Sequence, residues 1–549
     1  MRSLLRHVLS GVLFAAVCLP LPVSAQAQSN IPADEDQLPG RLILVLPFEN
    51  RSGVATLNWI GESFPDTLNQ RLTSAGFLTI TRDDRQYALD HLGLPPGFRP
   101  TRATTIRIAQ NLDANYVIVG SYTVDSGRIN VQAQVIDIGK LRMSAALQDS
   151  SELARLFDIE NAIAWKVAKQ IDPRFPVAEQ TFLSASSGVN LTAFEDYIRG
   201  TDLTSSLGPQ SSQERIKRLQ MAVTEAPNYS AALLALGKAQ YSARQYEPAA
   251  ATLASVSPSD RLALEAGFYL GLARFNDAKY ADAEAAFAFV ASRLPLPEVV
   301  NDQAVAASRQ GKDAVPLFER VLAADPNDAD YHYNLAVALL HRGDAAAALA
   351  QLDQALKLHA EDDEAIELHA RLTASLHLTG TPLSNAIAAG GFQPLTRIRR
   401  TYSEAGFRQA AFQLDQVRAI RLATLPRAEQ ALQYSQLGRE YLAQGLIPEA
   451  EREFQAALAA DSSSAPARAG LAQVREQSGD EPQARAEAHA SLALKPNVDA
   501  WIVLSRLDLK QNNLTAAKED VIQALKIDPA NSAAQGMAHA LRQRGQTIP

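Results

Sequence analysis

The sequence predicts a multidomain, mostly helical chain in which an α/β domain is followed by an all-α solenoid of repeated helical hairpins. Three observations predict it. The apolar run LILVLPF, residues 42–48, opens an alternation of strands and helices that closes with NYVIVGSYTVD and RINVQAQVIDI. From about Pro227 the composition turns alanine-rich, and a pattern of large apolar, small, small, aromatic and proline positions recurs about every 34 residues. At 549 residues the chain is also too long for one hydrophobic core.

The first residues read as an export signal. Arg2, Arg6 and His7 precede an apolar run from Val8 to Leu19, then Pro20, Pro22 and the small-residue pattern VSAQA. Residues 1–27 are taken as the signal, cut after Ala25 or Ala27, and 28–38 as a linker. The run falls short of the roughly 20 apolar residues a membrane helix needs, and no later segment approaches that length. A lipidated Cys18 is disfavoured because Val17 stands where a small residue belongs. Cys18 is the single cysteine, so its removal excludes disulfides, thiol nucleophiles and cysteine-ligated zinc or iron–sulfur sites. Losing Arg2 and Arg6 takes the formal charge from -8 to -10, since residues 1–27 contain no acid. An acidic chain without a basic tract argues against a nucleic-acid partner.

Residues 39–175 form the α/β domain. LILVLPF reads as a strand buried on both faces because its apolar run is unbroken. Pro47 sits near its end, where a missing backbone donor is tolerated. ENRSG, residues 49–53, reads as an exit turn, since Gly53 lacks both the lysine of a phosphate loop and the spacing of a dinucleotide fingerprint. A helix in WIGESFPDTLNQRLTSAG, the strand FLTITR, helices in DDRQYALDHLG and TTIRIAQNLD, and the two closing strands follow. LPFEN with its glycine, ITR, and LDANYVIVGSYTVDSGRINVQAQVID resemble the N-terminal domain of the TolB family, over roughly Leu38 to Asp137. The resemblance implies an envelope protein of the bacterial periplasm that binds other proteins, with no catalytic residues to transfer. The β-propeller of TolB has no counterpart here, so TolB's own role is not implied. Residues 176–212 are a linker containing the lead-in helix LTAFEDYIRG, as in fusions of this domain to repeats.

The repeats fall into block one, 213–376, and block two, 428–549 with a capping helix. The clearest unit, QYSQLGREYLAQGLIPEAEREFQAALAADS, places Leu437, Gly438, Ala450, Phe454 and Ala457 at the recurring positions. Leu236, Gly237, Ala249 and Leu253, then Leu270, Gly271, Ala283, Phe287 and Pro295, occupy the same places upstream. These residues resemble the tetratricopeptide (TPR) repeat. A small residue after the leucine lets two helices approach, and Phe454, Phe287 and Phe318 fill the gap to the neighbouring unit. Proline ends the second helix, and each hairpin leaves an apolar face that the next one covers.

Between the blocks, 377–427 is expected to be an irregular helical connector with Phe407, Ala411, Leu414 and Val417 on one side. It carries a basic cluster: Arg397, Arg399, Arg400 and Arg408. The cluster is either a docking site for an acidic partner or a solvated helix face paired to Glu404 and Asp415; the second reading is the expectation.

Neither G-x-S-x-G nor H-E-x-x-H occurs, and His332, His341, His359 and His369 lack ligand spacing. The acids Asp83, Asp84 and Glu361 to Asp363 sit at helix starts, where they complement the helix dipole. No catalytic residue, cofactor or metal is expected. Repeat arrays bind on the concave face built by their first helices. Two residues after the recurring leucine stand Lys238, Val337, Arg439, Gln473 and Arg506, with Tyr333 one turn before Val337, and these are the candidate peptide-groove residues. A lysine and asparagine clamp for a peptide carboxyl terminus is not evident. The expected function is a non-catalytic periplasmic scaffold or adaptor in envelope assembly that binds protein or peptide partners, compatible with peripheral envelope association. The alternatives are a cell-wall glycan or polysaccharide binder, for which Trp59, Trp165 and Trp501 are the aromatic supply, and an enzyme of unrecognised type.

Overall fold

Alternate residues of the first strand point into two different cores. A computed structural model describes residues 42–94, 100–184, 189–202, 209–375, 391–402 and 417–548. The expected signal and linker, and Glu404, Phe407, Arg408, Ala411, Leu414 and Asp415, lie outside these residues. Strands β1 (Leu42–Val45), β2 (Glu49–Asn50), β3 (Leu78–Thr79), β4 (Tyr116–Asp125), β5 (Arg128–Asp137), β6 (Arg142–Met143) and β7 (Leu147–Glu152) form one mixed sheet. β1 pairs parallel with β3 on one side and β4 on the other, while β5 pairs antiparallel with β4, β6 and β7.

Ile43 and Val45 enter a core shared with α1 (Trp59–Ser74) and α4 (Leu156–Ile171). Leu44 and Leu46 enter the opposite core with Ile108 and Ala109 of α3 (Arg102–Asn111), beside α2 (Arg82–His91). Helices on both faces are what an uninterrupted apolar strand requires. β4 and β5 are joined by Ser126 and Gly127, with φ of 51° and 78°, the two-residue turn whose twist matches a hairpin.

The LPF motif is explained by a proline in the neighbouring helix. Pro65 lies inside α1 and has no N–H to give to the carbonyl four residues back, that of Gly61. The Phe48 N–H takes that carbonyl instead, at 2.9 Å. The Phe48 ring stacks on Phe64 at 4.1 Å, and a side chain at Gly120 would come within 2.3 Å of it. The strand end and the first helix are thus locked together.

After α5 (Glu179–Ser184), the lead-in helix α6 (Leu191–Thr201) pairs with α7 (Pro209–Glu225). Block one continues with hairpins α8 (Ser230–Ser242) and α9 (Tyr246–Ala254), α10 (Ala263–Asn276) and α11 (Tyr280–Ala291), α12 (Pro297–Arg309) and α13 (Val315–Ala324), and α14 (Ala329–Arg342) and α15 (Ala345–Leu358), followed by α16 (Asp363–Ser375). Block two comprises α17 (Arg427–Ala443) and α18 (Ile447–Ala460), α19 (Ala465–Gln477) and α20 (Glu481–Leu494), and α21 (Val498–Lys510) and α22 (Leu514–Ile527), with α23 (Ser532–Gln543) as the cap. The repeat is also visible in the backbone, because the turns inside successive hairpins each pass one residue through the left-handed region: Arg244, Ala278, Gly311, Gly343, Gly445, Gly479 and Asn512.

The aromatic position acts as a wedge. Phe454 is fully buried, and a Cβ on Gly438 or Gly470 would approach its ring to 2.7 or 2.2 Å. Two glycines from consecutive first helices therefore make the slot this ring fills.

Within the connector, residues 391–402 are extended and run along block one, while residues 417–423 are helical. Block two also returns to the first domain: Glu451 Oε1 accepts from the Ala178 N–H at 3.2 Å, Arg475 donates to Thr181 Oγ1 at 2.7 Å, and Gln180 donates to the Ser478 carbonyl at 3.2 Å.

Candidate peptide-binding groove

Residues 396–399 cross the first helices of two successive hairpins, and polar side chains one repeat apart hold their backbone. Asn301 on α12 and Asn334 on α14 both donate to the Arg397 carbonyl, at 3.1 and 2.8 Å. Asn334 Oδ1 accepts the Arg397 N–H at 2.6 Å, and Asn334 also donates to Asn301 Oδ1 at 2.8 Å. Asp302 Oδ1 accepts the Arg399 N–H at 2.7 Å, while Arg309 donates to the Thr396 carbonyl at 3.2 Å. None of these contacts reads a side chain of the segment, so they favour any extended chain.

Carboxylates read the side chains. Arg397 donates through Nη1 to Asp330 at 2.7 Å and to Asp362 at 2.6 Å, and through Nη2 to Asp362 at 2.8 Å and Glu364 at 3.1 Å. Its guanidinium lies 3.8 Å from the centre of the Tyr333 ring, a cation–π stack on a fully buried tyrosine. Arg399 pairs with Asp328 and, at 3.0 Å, with Asp330 Oδ2, above the Tyr331 ring. Between them Ile398 packs against the repeat core, and further on Tyr402 meets Phe268 edge to face at 5.0 Å. Burial opposes the charge on Arg397, but Asp362 and Asp330 outweigh it and hold the group protonated. The Arg397 hydrogen bond holds the Asp362 carboxyl below its ordinary range, whereas burial pushes Asp302 well up. Asp362 keeps its expected place at a helix start, accepting the Ala365 N–H at 3.1 Å, and takes the arginine as well.

Arg397 and Arg399 are therefore not an open docking patch, while Arg408, Glu404 and Asp415 lie outside the described residues. Arg397 and Arg399 are consumed by acids of block one, and Arg400 is exposed beside them. The candidate groove residues are dispersed. Tyr333 lies under Arg397, but Val337 is buried in the repeat core. Lys238 pairs with Asp83 of the α/β domain and with Glu265, both at 3.0 Å. Arg506 forms a two-pronged pair with Glu476 at 2.6 and 2.5 Å, and Arg439 and Gln473 are half-buried on α17 and α19. Reading the groove two residues past the leucine missed Asn301, Asp302, Asp330 and Asn334. The available signal was the recurrence of asparagine on two first helices 33 residues apart.

Two clefts flank α2. One of about 500 Å³ is lined by Asp66, Arg82, Tyr197, Lys238 and Glu265. The other, of about 520 Å³, is lined by Glu49, Asn50, Arg51, Glu62, Arg85 and Gln132, so the ENRSG turn forms part of its wall. Asn50 ties that turn down, accepting from the Ser52 N–H at 2.9 Å and donating to the Val54 carbonyl at 2.9 Å. Trp59 is buried against Phe194, and Trp165 and Trp501 are half-buried. Among the described residues no group of three or more His, Cys, Asp or Glu side chains is placed to hold a metal ion. Nor is any helix among them long and apolar enough to cross a membrane.

The tetratricopeptide-repeat family matches residues 305–372, which include the groove helix α14, and again residues 435–499. The hairpins in these two stretches are tetratricopeptide repeats. They support a protein–protein interaction scaffold, and TPR proteins are typically non-catalytic. Among solved structures, the chain is similar to YrrB, described as a TPR protein with an unusual peptide-binding site, at 15% identity over 32% of this chain and 90% of that one, with a TM-score of 0.29. It is similar to the LpoB C-terminal domain from Escherichia coli at 23% identity over 21% and 87%, TM-score 0.19. It is also similar to TolB from Acinetobacter baumannii at 14% identity over 24% and 29%, TM-score 0.18. No curated protein matches the chain.

Proposed function

We propose that this chain is an exported, non-catalytic scaffold of the bacterial envelope that holds extended segments of partner proteins in the groove of block one. The observation that carries the reading is the grip of Asn301 and Asn334 on the Arg397 peptide unit, which binds a backbone rather than a particular side chain. Block two has no such pair: by the leucine register, its residues at the Asn334 position are Gln436, Gly470 and Val503. Export is supported by the charged, apolar and small-residue order of residues 1–27, and the envelope setting by the TolB-like residues of the first domain.

Crosslinking in intact cells tests the scaffold. The full-length chain carrying Asn301→Ala and Asn334→Ala is expected to lose partners that the unaltered chain captures from the envelope. Retention of every partner would remove the groove from the function. Export is tested by fractionation and by sequencing the mature amino terminus, expected at Gln26 or Gln28.

A further inference from the structure

The groove of block one is already filled by the chain's own residues 391–402, and this occupant shows what the groove selects. Its backbone is gripped at Thr396, Arg397 and Arg399. Its two arginines, separated by one apolar residue, enter carboxylate clusters contributed by two helix starts: Asp328 and Asp330 at α14, Asp362 and Glu364 at α16. In an extended chain, residues two apart fall on the same side, so Arg397 and Arg399 reach the acids together while Ile398 turns to the apolar core. Tyr333 and Tyr331 add flat faces suited to guanidinium rather than ammonium groups.

We infer that the partner of this groove is an extended segment of another protein carrying arginine, an apolar residue and arginine in succession, and that residues 391–402 are a built-in competitor it must displace. This rests on the scaffold reading and adds to it the chemistry of the ligand and the regulation of access. A groove that is empty only part of the time binds an external ligand with an affinity reduced by that fraction. Occupancy of about 99% by the internal segment therefore weakens apparent binding about 100-fold.

The test uses a fluorescent peptide with the sequence of residues 391–402, GFQPLTRIRRTY, and the full-length protein. Arg397→Ala with Arg399→Ala in the protein vacates the groove, and the peptide is expected to bind this chain about 10- to 100-fold more tightly than the unaltered one. A peptide bearing the same two substitutions is expected to bind at least about 10-fold more weakly. Without any substitution in the protein, saturating peptide is expected to speed amide exchange across 391–402, a readout that survives if the variant fails to fold. Equal binding to both chains, equal binding of the doubly substituted peptide, unchanged exchange, or a dimer in light scattering in which the segment is traded between copies would each overturn the inference. If it falls while Asn301→Ala and Asn334→Ala still abolish partner capture, the scaffold stands and only the arginine code is lost.

Discussion

Asn334 and Arg397 pair as neighbouring residues of a β-ladder do, except that one side of the ladder is a side chain. Asn334 Nδ2 donates to the Arg397 carbonyl at 2.8 Å, and Asn334 Oδ1 accepts the Arg397 N–H at 2.6 Å. Asn334→Ala removes both bonds from a largely covered peptide unit, a loss of about 1–3 kcal/mol in the attachment of the segment. Amide exchange over residues 396–399 is expected to rise about 10-fold or more, with the helical circular dichroism unchanged. Exchange equal to that of the parent chain would mean that Asn301, Asp302, Arg309 and the arginine pairs hold the segment without Asn334.

Glu160 should give the α/β domain a pH dependence of unusual sign. Its side chain is fully buried, with Ser63 donating to one oxygen and Thr67 to the other, the latter at 2.6 Å. Burial pushes its pKa up to about 8 from 4.5. The folded chain thus keeps a proton that the unfolded chain releases, and stability falls as pH rises from 4.5 to about 8. Glu160→Gln removes this component. Thermal melts at pH 6 and pH 9 are expected to show the parent chain losing roughly 1–4 kcal/mol relative to the variant. Parallel pH profiles would show that Glu160 does not titrate in this way.

The Phe454 wedge predicts an asymmetric pair of substitutions. Gly470→Ala places a methyl where a Cβ comes within 2.2 Å of the ring, and overpacking of this kind costs about 1–3 kcal/mol. Phe454→Ala empties the slot at a cost of about 3–5 kcal/mol. Combining Gly470→Ala with Phe454→Leu should cost less than the sum of those two substitutions made singly, because the smaller side chain makes room for the methyl. Urea unfolding of the four variants provides the values, and a neutral Gly470→Ala would show that the slot relaxes freely.

Glu451 is fully buried, and Arg475 supplies its ionic partner at 2.5 Å. Arg475→Met leaves that carboxylate uncompensated, an effect of about 3–5 kcal/mol. The deficit should appear first where block two meets the α/β domain, as faster exchange and earlier proteolysis at residues 178–184. Glu451→Gln with Arg475→Met should recover part of it. If 178–184 remains protected in the single variant, other contacts hold the two together.

The hairpins were legible because each repeat states the same rule again: Gly438 opposite Phe454 and Gly271 opposite Phe287 carry one packing instruction at the repeat spacing. The first strand was legible because Ile43 and Leu44 had to face two cores. β7 was not, since LQDSSE has no apolar alternation and joins the sheet through its backbone pairing with β5. The groove was half legible. Periodicity identifies the helices that build a concave face, but the phase chosen led to Val337, which the core claims, rather than to the position just before Leu335. The occupant could not be read at all, because the acids that hold Arg397 lie 33 to 67 residues away on other helices. Charge clustering along the sequence suggested local partners, and the fold supplied distant ones.

The clasp of Glu451 and Arg475 on residues 178–181 also bears on mechanics. An open array of repeats stretches and twists like a spring, since each unit touches only its neighbours. Here Thr181 and Arg475 are 294 positions apart in the sequence, and their contact closes that span into a loop. Such a closure forms late in folding, after the intervening hairpins have brought its ends together. Once it is made, tension applied at the C-terminal helices passes across the clasp into the α/β domain.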